Sequence, residues 1–470
     1  MKKIFVLGII ALSLITVSLT AFASTIQLPQ TGQKTCYDSS GNVINCAGTG
    51  QDGEIQAGVA WPNQRFIDNT DSTITDQLTG LMWTKDANLP GGTRTWYQAL
   101  DYVAGMNAGT YQNFGYTDWR LPNFNELESL INESERSPVT WLRNQGFINV
   151  LSEDYWSSTT TALNSSRAWF VNMTVGTMTN YDKSSSDYTY VWPVRAGEGG
   201  TVNLPRTGQN TRYYSGDDGD LKKGVTWPNP RFTDHGNDTI TDNLTGLMWT
   251  KNANLPGGTM SWQQAVDYVK TAHVGGYTDW RLPNMKELRS MSNYSQYNPA
   301  LPLGHPFINV QNAYYFSSTT FPYFPSYAWF IGINVGGTNY INKSDYSYYS
   351  YVWPVRAGQV GPTVINLSSF TATPKISKVI IQWSTETEID NAGFNIYRAE
   401  SVDGKYVKIN NDLIPAEGTS TQGANYEFID KDVQNRKTYY YKLEDIDLNG
   451  KSTIHGLVSA TPRLIYGLFK

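Results

Sequence analysis

Cysteine is nearly absent: Cys36 and Cys46 are the only two in 470 residues. The residues between them include Ser39-Ser40-Gly41-Asn42, a turn-forming run, so in an oxidising compartment the pair reads as one local disulfide closing a hairpin. No histidine lies close enough to complete a tetrahedral zinc site with them. Histidine itself occurs only at 235, 273, 305 and 455, and none of these stands in a triad or a metal-spacing motif. Without such an anchor the expectation is a protein that is not an enzyme; glycoside chemistry, which needs only two placed carboxylates, is the enzymatic alternative. Long apolar runs are missing beyond residues 4–19, which follow Lys2 and Lys3 and precede Ala21-Phe22-Ala23. That is the layout of an export signal over residues 1–23, with no membrane span after its removal and a secreted, cell-surface or periplasmic destination. A basic excess is missing as well, since net charge is −8 over residues 24–200, +2 over 201–360 and −1 over 361–470. Nucleic acid is therefore not the expected partner.

What the chain does have is aromatics, 13% of residues, and an internal repeat. Leu78-Thr79-Gly80-Leu81-Met82-Trp83-Thr84-Lys85 returns as Leu244-Thr245-Gly246-Leu247-Met248-Trp249-Thr250-Lys251, and the string from Tyr116 to Asn123 returns from Tyr277 to Asn284. Tyr190-Val191-Trp192-Pro193-Val194-Arg195-Ala196-Gly197 returns from Tyr351 to Gly358. Two copies, 24–200 and 201–360, are expected to pack as independent beads, each burying its own core.

Within a copy, residues 58–83 read as short strands with a turn at Asp68-Asn69-Thr70-Asp71. A helix comes next, N-capped by Thr95, with Trp96, Ala99, Leu100 and Val103 on one face. Asn123 and Glu126 form a capping pair for a second helix. A long polar loop region then runs to the closing Val-Trp-Pro-Val-Arg strand, giving an α+β domain. Residues 361–470 change character: alternating runs such as Val379-Ile380-Ile381-Gln382-Trp383 and Tyr439-Tyr440-Tyr441-Lys442-Leu443 mark an all-β module that resembles a fibronectin type III sandwich.

The motifs Thr-Gly-Leu-Met-Trp, Trp-Arg-Leu-Pro-Asn and Val-Trp-Pro-Val-Arg-Ala-Gly, present in both copies, together resemble the C-terminal domain of the Lcl-type bacterial collagen-like adhesins. The resemblance implies a C-type lectin-like fold, akin also to the formylglycine-generating enzymes, in which strands and helices support a variable loop surface. Adhesins of that family bind sulfated glycans on a trimer through basic surfaces. This sequence carries no collagen-like Gly-x-y stretch and its first copy is acidic; the reactive cysteine pair of the related oxidases is absent from both copies.

Tyr, Ser, Asn and Gly crowd residues 314–351, the composition used by antibody binding loops. A ligand face, for glycan or a surface protein, is expected on Tyr323, Phe324, Tyr327, Asn334, Asn339, Tyr340, Tyr346, Tyr348 and Tyr349. A milder counterpart in the first copy comprises Arg167, Asn172, Tyr181 and Tyr188. Packing of these rings against their own domain is the competing reading, and a structural role in a surface or appendage assembly the competing function. Acidic turns at Asp68, Asp71 and Asp76, and at Asp234, Asp238 and Asp242, are candidate calcium ligands, although their spacing is not that of an EF-hand. Arg120, Arg195, Arg281 and Arg356 lie in apolar strings and are expected to pair with carboxylates such as Asp118 and Asp279. Leu28-Pro29-Gln30-Thr31-Gly32 and Leu204-Pro205-Arg206-Thr207-Gly208 look like sortase signals, but each opens a repeat and reads as a first strand or turn.

Overall fold

A computed structural model describes residues 26–463 except 188, 345–349, 358–366, 386–387, 389–390, 419–422 and 448–451. Residues 1–23, expected to be an export signal, lie outside the described residues. Each copy contributes a small four-stranded antiparallel sheet. In the first, Phe66–Asp68, Thr73–Asp76 and Leu81–Thr84 form a meander, and the closing strand Val194–Ala196 pairs with Leu81–Thr84. The second repeats this with Phe232–Asp234, Thr239–Asp242, Met248–Thr250 and Val355–Arg356.

The two expected helices are present. Trp96–Asn107 carries a capping box from Thr95 and Gln98, and Phe124–Glu128 carries one from Asn123 and Glu126. The polar loop expected after them is corrected by the structure, which places a sheet there. Asp154–Thr160, Arg167–Asn172 and Met178–Asp182 pair antiparallel, as do Tyr314–Thr320, Tyr327–Gly332 and Gly337–Asn342. Apolar periodicity fails here for a physical reason. Ser157 to Thr160 and Ser317 to Thr320 are all buried, yet they are polar, because their hydroxyls and backbone groups form hydrogen bonds with groups from elsewhere in the chain. The result is a β-rich molecule with short helices.

The copies are not independent beads. Thr338, on the strand Gly337–Asn342 of the second copy, pairs with Met178 of the first, joining both sets into one eight-stranded sheet. The N-terminal arms are also exchanged. Gln33, from the arm of the first copy, donates to the Thr320 carbonyl (2.9 Å) and accepts from the Thr320 amide (2.8 Å) of the second. Gln209 likewise donates to the Thr160 carbonyl of the first copy (2.6 Å). Asp52 accepts from Thr31 in its own arm and from Thr319 across the seam, both at 2.7 Å. Asp218 is held in the same way between Thr207 and Thr159. The two sortase-like pentapeptides are thus arm residues, bridged to Val59 and Val225 as the first strand-like step of each repeat. Their glycines are required: Gly32 and Gly208 both have φ of +93°, and a Cβ there would meet the side-chain oxygens of Asn132 and Asn293 at 2.4 and 2.2 Å.

Where the short helices of the two copies face one another, the repeat stops being symmetric. Glu128 of the first copy accepts from both Lys286 and Arg289 of the second, and Arg289 also reaches Glu133 (2.7 Å). All four are buried. Burial alone would raise the Glu128 carboxyl, but the two cations outweigh it and hold its pKa below the ordinary value.

Residues 367–463 form two sheets around one core. Leu367–Lys375, Lys378–Thr385 and Asn425–Asp430 make one; Asn391–Ala399, Tyr439–Asp447 and Ser452–Ala460, with short flanking strands, make the other. The expected core tryptophan, Trp383, is buried and stacked on Tyr426 at 5.1 Å.

Candidate functional site

The hairpin connection between Tyr314–Thr320 and Tyr327–Gly332 gathers rings into one cluster. Phe321, fully buried, stacks on Tyr340 with centroids 3.9 Å apart and planes 5° from parallel. Phe321 also stacks against Tyr323 at 6.2 Å, and Trp329 closes the inner side edge-on at 4.9 Å. Tyr323 and Phe324 meet at 4.8 Å, and Phe324 meets Tyr327 at 5.8 Å. The cluster is graded: Phe321 and Trp329 belong to the core, Tyr327 and Tyr340 are half-buried, and Tyr323 and Phe324 are 43% and 47% exposed. Internal packing therefore describes the deeper of these aromatics, and an outward-facing pair of rings is left on a rigid base.

The base belongs to both copies. Arg136 of the first copy donates from Nε to the Pro322 carbonyl (3.2 Å) and has an exposed side chain with no carboxylate partner among the described residues. The hairpin of the first arm, closed by the expected Cys36–Cys46 disulfide, packs its turn on the same connection; a Cβ on Gly41 would lie 2.8 Å from the Ser326 amide. The loop that carries Tyr323 and Phe324 is thus gripped from both ends by residues more than 180 positions away in sequence.

Of the other expected ligand residues, Tyr188, Tyr346, Tyr348 and Tyr349 lie outside the described residues. Asn339 and Tyr340 sit on a strand and not on a loop, and Asn339 is turned from the ring cluster to the opposite sheet face, beside Phe330. Asn334 occupies the turn before that strand, where its carbonyl accepts from the Asn298 amide (2.7 Å). In the first copy Arg167, Asn172 and Tyr181 are likewise strand residues, and four ring positions of the cluster, Phe321, Phe324, Tyr327 and Tyr340, are matched by the polar Thr161, Asn164, Arg167 and Asn180; Arg167 reaches Asn180 at 3.4 Å and Asn172 bonds Asp154 at 2.6 Å. No comparable platform forms there from those three.

The acidic turns do not assemble into calcium sites. Among the described residues no group of three or more His, Cys, Asp or Glu side chains is placed to hold a metal. The carboxylates have other work. Asp68 and Asp234 pair with Lys85 and Lys251 at 2.6 and 2.7 Å, and Asp71 caps Thr73 and accepts from Tyr116. Asp76 and Asp242 are buried against Arg65 and Arg231, and Asp238 is a turn residue with φ of +66°. The four arginines do pair with carboxylates: Arg195 with Asp118 (2.6 Å), Arg356 with Asp279 (2.7 Å), and Arg120 and Arg281 with the capping residues Glu126 and Glu287.

Sequence reasoning missed the residues that build the seams: Gln33, Gln209, Asp52, Asp218, Glu128, Lys286 and Arg289. The one visible signal was that Glu128 and Arg289 occupy matching positions of the repeat with opposite charge. It also missed an aromatic patch on the first copy, where Tyr97 meets Tyr214 and Tyr213 lies against Lys183, itself over Trp96; the position matching Tyr97 in the second copy is Gln263.

Among curated proteins the chain is similar to an amylopullulanase from Thermoanaerobacter thermohydrosulfuricus, 30% identical over 90 residues, 19% of this chain; it spans 6% of that relative. Among solved structures it is similar to the pectate lyase Pel3 from Pectobacterium carotovorum, with 17% identity, 20% of this chain and 27% of that chain covered, and a TM-score of 0.16. An Fn3-like protein from Clostridium thermocellum is covered over 100% of its length by 22% of this chain, with 18% identity and a TM-score of 0.15. The family comparison reaches further. The model of the Lcl C-terminal domain matches residues 72–195 and 238–356, one match per repeat and together just over half of the sequence, and this chain belongs to that family.

Proposed function

We propose that this is an exported recognition protein of the cell surface or periplasm that binds saccharides through the ring cluster of the second copy. The carrying observation is the exposed pair Tyr323 and Phe324, set on the buried Phe321–Tyr340 stack. A pyranose has an apolar C–H face and a hydroxyl rim, so a fixed aromatic surface with a neighbouring guanidinium, that of Arg136, offers both kinds of contact. Because the rings are already ordered, little conformational entropy is lost on binding. Family membership supports a surface or adhesive role. On this reading the copies take a C-type lectin-like fold, the C-terminal module is fibronectin type III-like and acts as a spacer, and the protein binds without performing catalysis.

The test is an array of immobilised saccharides probed with the intact chain. Saccharide hits that depend on Tyr323 and Phe324 support the reading. No saccharide hit, together with a specific protein partner, overturns it in favour of an assembly component; turnover of a bound glycan overturns it in favour of an enzyme.

A further inference from the structure

Exchange of two arms creates two seams, and the ring cluster occupies only one of them. At the other, the arm of the second copy lays Tyr213 and Tyr214 over the start of helix Trp96–Asn107 of the first. The plan is shared. Lys183, buried, sits 4.0 Å over the Trp96 ring and 4.7 Å over Tyr213, as Lys343 sits 4.2 Å over Trp262 and 5.8 Å over Tyr37. The difference lies in what covers the plan. In the second copy the disulfide hairpin does so; in the first the arm is shorter and leaves rings at the surface.

Those rings form a defined set. Tyr97 and Tyr214 meet at 5.3 Å and 67°, and both contact the buried Trp96, at 5.4 and 6.4 Å. Tyr97 and Tyr213 are 39% and 42% exposed. Tyr214 is fixed by a hydrogen bond from its hydroxyl to Asp101 (3.1 Å), and Arg212, next to Tyr213 in sequence, pairs with Asp220 (3.6 Å) while keeping most of its side chain in solvent. Ring faces held by a buried tryptophan, with a carboxylate and a guanidinium beside them, provide the same two kinds of contact as the cluster around Phe321. We infer that Tyr97, Tyr213 and Tyr214 form a second saccharide-binding platform on the first copy, so that one chain holds two saccharides at once.

The inference rests on the saccharide reading of the ring cluster, and a stoichiometry measurement separates the two. Native mass spectrometry counts cellohexaose, laminarihexaose or mannohexaose bound to the intact chain. Two equivalents are expected for the hexasaccharide that binds, falling to one in Tyr97→Gln/Tyr213→Ala and to one in Tyr323→Ala/Phe324→Ala. Tyr97→Gln places there the residue that the second copy carries at the same helix position, so the single variant serves if the double one lowers the melting temperature. On a polysaccharide-coated surface each pair of changes costs about 100-fold in apparent affinity, because two linked contacts become one. A single equivalent, lost with Tyr323 and Phe324 and indifferent to Tyr97 and Tyr213, overturns the second platform and leaves the first. No equivalent with any of the three sugars overturns both.

Discussion

Asp52 and Asp218 are the residues on which the seams turn chemically. Burial, working against the hydrogen bonds from Thr31 and Thr319, pushes the Asp52 carboxyl up to about 7, and Asp218 is raised to about 7 for the same reason between Thr207 and Thr159. An aspartate in the unfolded chain titrates near about 3.9. Between the two values the folded chain keeps protons that the unfolded chain has released. The stability these sites contribute is therefore complete below about pH 4 and is lost as pH rises through about 7. Asn at both positions removes that loss. Relative to wild type, Asp52→Asn/Asp218→Asn should gain on the order of 3 kcal/mol per site between about pH 5 and about pH 8.5, read by chemical denaturation at each pH. Lys183 and Lys343 titrate in both proteins, so the comparison isolates the aspartates; equal pH profiles would contradict the assignment. Side chains whose partners lie within a few positions, such as the capping pair Asn123 and Glu126, were legible in the sequence. The ring residues Tyr323, Phe324, Tyr327 and Tyr340 were legible by composition, though their depth was not. Asp52 was not legible, because the Thr319 hydroxyl that it meets lies in the other copy.

At the level of elements, the arms lock the halves together. Each arm glutamine uses its amide as a clamp: Gln33 donates to Thr320 and Glu133 and accepts from the Thr320 amide. Gln33→Ala leaves those buried backbone groups unpaired, and thermal or denaturant melts should register about 1–3 kcal/mol of lost stability. A surface glutamine would cost almost nothing, so no measurable change would mean that the arm is not docked. The strands under the arms read as loop because the usual strand signal, apolar alternation, is replaced at Ser157 to Thr160 by hydroxyls that are satisfied inside the molecule, that of Thr159 by Asp218 beside the arm. The hairpin and the short helices, whose signals are a turn and a cap, needed no partner to be recognised. Reducing the Cys36–Cys46 bond should loosen the connection it packs on, seen as faster amide hydrogen exchange over residues 321–326 with little change over 161–166.

For the whole molecule, the repeat supplies two similar halves and the charge pattern makes them unequal. Glu128 is buried between Lys286 and Arg289, so Glu128→Ala leaves two cations without their shared partner and should cost about 3–5 kcal/mol. Because the sheet and the arms cross between copies, that loss should lower the unfolding temperature of both copies together in calorimetry. Separate transitions with only one displaced would restore independent beads. The central claim, that this assembly exists to display the Tyr323–Phe324 pair to a saccharide, is tested most directly by measuring binding of the intact chain and of Tyr323→Ala/Phe324→Ala to one array-positive saccharide, beside their melting temperatures. With the saccharide immobilised on a surface, apparent affinity is expected to fall at least about tenfold as two linked contacts become one, while melting stays within about 2 °C, since both rings lie at the partly exposed outer edge of the cluster and surface changes seldom exceed about 0.5 kcal/mol. Undiminished binding by the double variant would contradict the claim.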